Sequence, residues 1–69
     1  MKISARNILK GKIVSMVSGT VNTEVQLELP GGDIIVSVLT KEAAQKLELE
    51  VGKTAYAVID AYNVLMGVD

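Results

Sequence analysis

A chain of 69 residues makes one domain, and a domain this small buries only about 60% of its unfolded surface, so a lone core leaves it marginally stable. Neither Cys nor His occurs, which excludes disulfides, argues against a structural zinc site and leaves oligomerisation as the remaining stabilising device. Seven Lys and Arg against eight Asp and Glu give a net charge of −1, and Phe and Trp are absent; with no basic stripe and no stacking aromatics, a nucleic-acid partner is disfavoured.

A small anion held at one point needs only a few converging donors, so it stays open. No apolar run approaches the roughly 18 residues of a membrane span, and Met1-Lys2-Ile3 is not followed by a signal-peptide apolar region. The expectation is a soluble, cytoplasmic protein with no membrane partner.

In chain order, the first polar cluster is Ser4-Ala5-Arg6-Asn7. Residues 11–17 are β-rich and end at Ser18-Gly19-Thr20. Residues 21–29 alternate, with apolar residues or Thr at odd positions and polar residues at even ones, which predicts a half-buried strand. Pro30-Gly31-Gly32-Asp33 then predicts a hairpin turn, Pro presetting φ at the first corner and Gly accepting positive φ at the second. Residues 34–39 return as the next strand. Residues 41–47 are the one helical segment, with Thr40 as N-cap, Glu42 in the first turn, and Ala43, Ala44 and Leu47 as a short apolar stripe. Residues 54–59 and 63–66 predict two more strands.

The fold class that follows is all-β with one short helix, a five-stranded Greek-key barrel of the oligonucleotide/oligosaccharide-binding (OB) type, in a single domain over residues 1–69. Three strands are apolar on both faces: Val14 and Met16 against Ile13 and Val17; Ile34, Val36 and Val38 against Ile35 and Leu39; Ala57 and Ile59 against Tyr56 and Val58. A small barrel has one interior, so the second apolar face predicts cover by another subunit.

Catalysis has little to work with, because the common general base and the strong nucleophile are both missing. The carboxylates are scattered without the spacing of a metal loop. Pro30-Gly31-Gly32-Asp33 lacks the Lys-Ser/Thr and following helix of a phosphate-binding loop. A non-enzyme is expected.

Two places gather donors for an oxyanion. At Thr40-Lys41 a hydroxyl, an ammonium and free backbone N–H groups sit together. Ser4 and Arg6, two apart in an extended segment, point to one side and can grip a tetrahedral anion together. Taken singly, the first also reads as a plain helix cap and the second as a polar arm.

Those residues carry a family resemblance. Ser4-Ala5-Arg6-Asn7, Leu9-Lys10-Gly11-Lys12-Ile13-Val14, Gly19-Thr20-Val21-Asn22-Thr23-Glu24-Val25, Thr40 before the helix, and Gly52-Lys53 with Ala57-Val58-Ile59 together resemble the molbindins, small molybdate-binding proteins, over essentially the whole chain. The resemblance implies storage or buffering of molybdate or tungstate, with no organic cofactor, at the subunit interfaces of a homo-oligomer, a hexamer built as a trimer of dimers. It places Ser4 and Arg6 of one subunit against Thr40 of a neighbour, with backbone N–H groups completing the shell; Lys41, Asp60 and Ala61 are further candidates for this oxyanion site. A second anion site is implied around Gly19, Thr20, Val21 and Asn22. Members usually carry Lys where this chain has Asp60, and a carboxylate there opposes a dianion unless Lys41 or Lys53 compensates. The alternative is therefore an oligomeric interaction scaffold of the same family with degraded anion sites.

Overall fold

The computed structural model describes residues 1–69. Four strands form one curled antiparallel sheet: β1 (Asn7–Ser18), β2 (Asn22–Glu28), β3 (Ile34–Thr40) and β4 (Thr54–Ile59), in the order β3-β2-β1-β4. The short helix α1 (Lys41–Lys46) follows β3, and a 3-10 turn (Ala61–Asn63) follows β4.

Strand β1 organises the sheet. Its first half pairs with β4, from Asn7↔Ile59 to Lys12↔Thr54, and its second half pairs with β2, from Lys12↔Glu28 to Ser18↔Thr23. The register shifts between Ile13 and Ser15, and such a bulge bends a strand so that it can serve two partners. The strand starts at Asn7, four residues before the expected Gly11, because the β4 ladder captures residues 7–10. At Gly11 the chains nearly touch: a Cβ there would lie 2.5 Å from the Glu28 carbonyl oxygen and 2.9 Å from Leu27 Cγ.

The alternation in residues 21–29 is realised: Thr23, Val25 and Leu27 are buried, and Ile13 joins Val25 and Leu27 as the core. Burying Thr23 requires a partner for its hydroxyl, and Ser18 Oγ supplies one at 3.2 Å. The strand begins at Asn22 because Gly19 N–H donates to the Asn22 carbonyl at 2.8 Å, drawing Thr20 and Val21 into the turn. The next turn also differs in detail. Gly32 N–H donates to the Leu29 carbonyl, Leu29 N–H to the Asp33 carbonyl, and the positive φ of 95° falls on Gly32 rather than Gly31. This is the three-residue hairpin in which a type I turn is followed by a left-handed glycine.

Thr40 caps α1 as expected, its Oγ1 accepting the Ala43 N–H at 3.1 Å. The helix closes one residue early, at Lys46. Leu49 N–H donates to the Ala44 carbonyl and Glu48 N–H to the Gln45 carbonyl, with Glu48 at φ 54°, the bonding of a Schellman motif.

The expected fifth strand over residues 63–66 does not form. Asp60 caps the 3-10 turn, its Oδ1 accepting the Tyr62 N–H at 3.1 Å, and Asn63 N–H donates to the Asp60 carbonyl at 2.9 Å. This turn leads the chain off the β4 edge, so the apolar tail finds no ladder within its own chain. The OB-like class stands with four strands instead of five. The second apolar face is also present: Val17, Ile34, Val36 and Val38 are exposed on the sheet's outside.

Candidate functional site

Position in the ladder decides which candidate residues meet. Asn7, the first residue of β1, faces Ile59, the last of β4, and its Nδ2 donates to the Ile59 carbonyl at 3.3 Å. That bond ties the N-terminal arm to the β4 exit. Ser4 and Arg6 consequently share a hollow of about 670 Å³ with Asp60 and Ala61, walled by Ile3, Val58 and Tyr62. Ser4 and Arg6 are exposed, as is Asp60. No carboxylate lies within 4.0 Å of the Arg6 guanidinium, since the chain's two ion pairs are Lys46–Glu42 and Lys53–Glu50. The guanidinium fork is thus available to a ligand that matches its bidentate geometry.

Asp60 has a local task that the sequence did not reveal. One of its carboxylate oxygens accepts the Tyr62 N–H and fixes the turn that carries Ala61 and Tyr62 along the hollow. The other oxygen is uncommitted, so the wall facing Arg6 carries negative charge alongside the donors.

The remaining candidates lie elsewhere. Thr40 ends β3 opposite Asn22, and Lys41 N–H donates to the Val21 carbonyl at 2.8 Å. Thr40 and Lys41 are therefore gathered with the turn of Gly19, Thr20, Val21 and Asn22, at the Ser18 end of β1. Ser4, Arg6, Asp60 and Ala61 gather at its Asn7 end. Within one chain the two groups stay apart, separated by the length of the 12-residue strand.

Beside the Thr40 end is a second hollow of about 560 Å³, lined by Lys41, Lys53, Ser18, Thr23, Gln45 and Glu48 among others. Lys53 is committed there, its Nζ donating to the Glu48 carbonyl at 3.2 Å and lying 3.8 Å from Glu50. It does not compensate Asp60 within the chain. Lys41 makes no ion pair, and the Thr40 hydroxyl, which accepts from Ala43, keeps its own proton to donate. No group of three or more His, Cys, Asp or Glu is placed to hold a metal ion.

Comparison with known proteins shows the family. The TOBE domain family matches residues 3–66. A probable molybdenum-pterin-binding protein of Haemophilus influenzae is 51% identical over 69 residues, covering all of both chains. Among solved structures, MopII from Clostridium pasteurianum superposes with a TM-score of 0.92 at 37% identity, covering 97% of this chain and all of that one. ModG, described as a cytoplasmic molybdate-binding protein and solved with molybdate bound, superposes with a TM-score of 0.95 at 49% identity, covering all of this chain and 49% of that one. These are binding proteins, and the family is not one of enzymes. The chain belongs to the TOBE domain family, among the molybdenum-pterin-binding proteins or molbindins.

Proposed function

We propose that this protein binds molybdate or tungstate in the cytoplasm and stores or buffers the oxyanion. The observation that supports this most is the convergence of the Ser4 hydroxyl and the unpaired Arg6 guanidinium in one hollow, in a chain whose relatives include the molybdate-bound ModG. Molybdate is a tetrahedral dianion that accepts hydrogen bonds and donates none, so the Ser4 and Arg6 donors suit it, whereas the free carboxylate oxygen of Asp60 in the same hollow is an acceptor it cannot satisfy. Sulfate matches it in charge and shape, and its exclusion depends on the size of the closed site.

The site is completed between subunits of a homo-oligomer, a hexamer arranged as a trimer of dimers. Ser4 and Arg6 of one copy meet the Thr40 hydroxyl and Lys41 of a neighbour, with Ala61 contributing backbone N–H. The separation of the two donor groups along β1 supports a shared site, because neither group alone surrounds an anion. A second site sits at the turn of Gly19, Thr20, Val21 and Asn22. Binding that requires the assembly also stabilises it by mass action.

Asp60 favours a second reading, an oligomeric scaffold whose interface site no longer holds anions, since its carboxylate shares the hollow with Arg6. Isothermal titration of the purified protein with molybdate, tungstate, sulfate and phosphate separates the two. The binding reading expects saturable heat with molybdate and tungstate that is lost in Arg6→Ala. No molybdate heat from micromolar to millimolar concentration leaves the scaffold.

A further inference from the structure

Two opposite charges share the Ser4 hollow without neutralising each other. Arg6 and Asp60 are the charged side chains that line it, yet no carboxylate oxygen comes within 4.0 Å of the Arg6 guanidinium, since both ion pairs of the chain lie elsewhere. The Asn7 side-chain amide, donating to the Ile59 carbonyl at 3.3 Å, ties the arm to the end of β4. On the other wall the Asp60 cap, its Oδ1 accepting the Tyr62 N–H at 3.1 Å, fixes the 3-10 turn. Both walls are therefore placed by contacts of their own, leaving the guanidinium fork free on one and the second Asp60 oxygen free on the other.

The hydrogen-bonding character of the hollow is mixed. The Ser4 hydroxyl and the Arg6 guanidinium donate, whereas an ionised carboxylate only accepts. A ligand that satisfies all three groups must accept from Ser4 and Arg6 and donate to Asp60. A fully ionised tetrahedral anion has no proton to give, so its oxygen against the carboxylate adds repulsion with no bond in return. An oxyanion that keeps one proton turns the same contact into a charge-assisted O–H···O⁻ bond, which is short and strong. Arg6 and Asp60 together carry no net charge, so charge alone does not gather dianions here, and the pattern of donors and acceptors decides which anion fits.

We infer that, where Ser4 and Arg6 hold an oxyanion as proposed, the free oxygen of Asp60 selects one that carries a proton at neutral pH, hydrogen phosphate or hydrogen arsenate, over fully ionised anions of the same size such as sulfate. The Arg6 fork and the Ser4 hydroxyl donate to the unprotonated oxygens, and the protonated oxygen donates to Asp60. Hydrogen phosphate and sulfate are tetrahedral dianions of nearly equal size, so the Coulomb cost of the nearby carboxylate is common to them. The single O–H is what separates them. A phosphate monoester ranks with sulfate, because it loses its last proton at about pH 6. Asp60 is thereby a specificity-determining residue as well as a cap.

Titration calorimetry on the full chain at about pH 8 compares phosphate, sulfate and methyl phosphate as dianions, of which phosphate alone keeps a proton. The parent should bind phosphate and arsenate about tenfold or more tightly than sulfate or methyl phosphate, with the heat lost in Arg6→Ala. Asp60→Asn keeps the cap and takes away the free carboxylate oxygen. Phosphate should then weaken while sulfate tightens, so that the ratio of their affinities falls to about one or below. A merely structural role for Asp60 moves every dianion in the same direction, and that result overturns the selection, as does equal binding of phosphate and sulfate by the parent. Molybdate titrated into the same samples separates the two readings. Molybdate heat without a phosphate preference overturns selection by Asp60 and leaves the oxyanion site, whereas no heat from any anion in parent or variant overturns both.

Discussion

Asn7 donates its side-chain amide to the carbonyl of Ile59 across the β1–β4 ladder, and this contact fixes where the N-terminal arm lies relative to Asp60. The arm before Asn7 has no regular structure of its own. Without the contact, the hollow shared by Ser4, Arg6 and Ala61 would lose the tie at its base.

Replacing Asn7 by Ala removes one partly buried hydrogen bond, worth about 0.5–1.5 kcal/mol. The rest of the β1–β4 pairing is backbone and survives. We expect molybdate affinity to fall about threefold to tenfold by titration calorimetry while the oligomeric mass stays the same. An affinity equal to the parent's would mean that the arm is held by the assembly rather than by Asn7.

Asp60 combines a structural cap with a charge that opposes an anion, and two substitutions separate these roles. Asn is as good an N-cap as Asp, so Asp60→Asn keeps the bond to Tyr62 N–H and removes only the charge. Molybdate should bind about tenfold more tightly, a gain near 1.4 kcal/mol, and Asp60→Lys should bind more tightly still. If neither variant shifts the dissociation constant, the carboxylate does not face the bound anion.

The parts of this fold that depend on residues near in sequence were legible. Thr23, Val25 and Leu27 announced their buried face by alternation, and Thr40 announced its cap because a β-branched hydroxyl precedes a run of helix formers. What depends on pairing was not. The fifth strand was expected from the apolar residues 63–66, yet a strand needs a ladder partner, and the Asp60 cap turns the chain away from β4. The grouping of Thr40 with residues 19–22 rather than with Arg6 follows from the Asn22↔Thr40 register, which no local pattern encodes. Asp60 was visible as an unfavourable charge and invisible as a cap, because its partner Tyr62 N–H belongs to a 3-10 turn too short to leave a periodic signal.

Gly11 marks the closest approach of two strands. A methyl group at this position would meet the Glu28 carbonyl, which is backbone held in the β1–β2 and β2–β3 ladders and cannot step aside. Gly11→Ala should therefore destabilise by about 1–3 kcal/mol, the usual cost of overpacking. For a domain of this length each kcal/mol lowers the thermal midpoint by about 4–8 °C. A midpoint within a degree or two of the parent's would show that β1 and β2 can separate at this point without loss.

Glu48 is the one non-glycine residue with positive φ, and it sits where the Schellman motif requires a left-handed residue. The conformation costs a side chain about 1–2 kcal/mol and costs Gly nothing comparable. Its side chain makes no hydrogen bond or ion pair; Lys53 Nζ is received by the Glu48 backbone carbonyl, which any residue supplies. Part of the relief is offset by the greater freedom of Gly in the unfolded chain. Glu48→Gly should still stabilise the fold by about 0.5–1 kcal/mol and raise the thermal midpoint by several degrees. It also takes one carboxylate from the hollow that Lys41 and Lys53 line, so any anion held there should bind more tightly. A lowered midpoint would mean that Glu48 contributes to the assembly through contacts that a single chain does not contain.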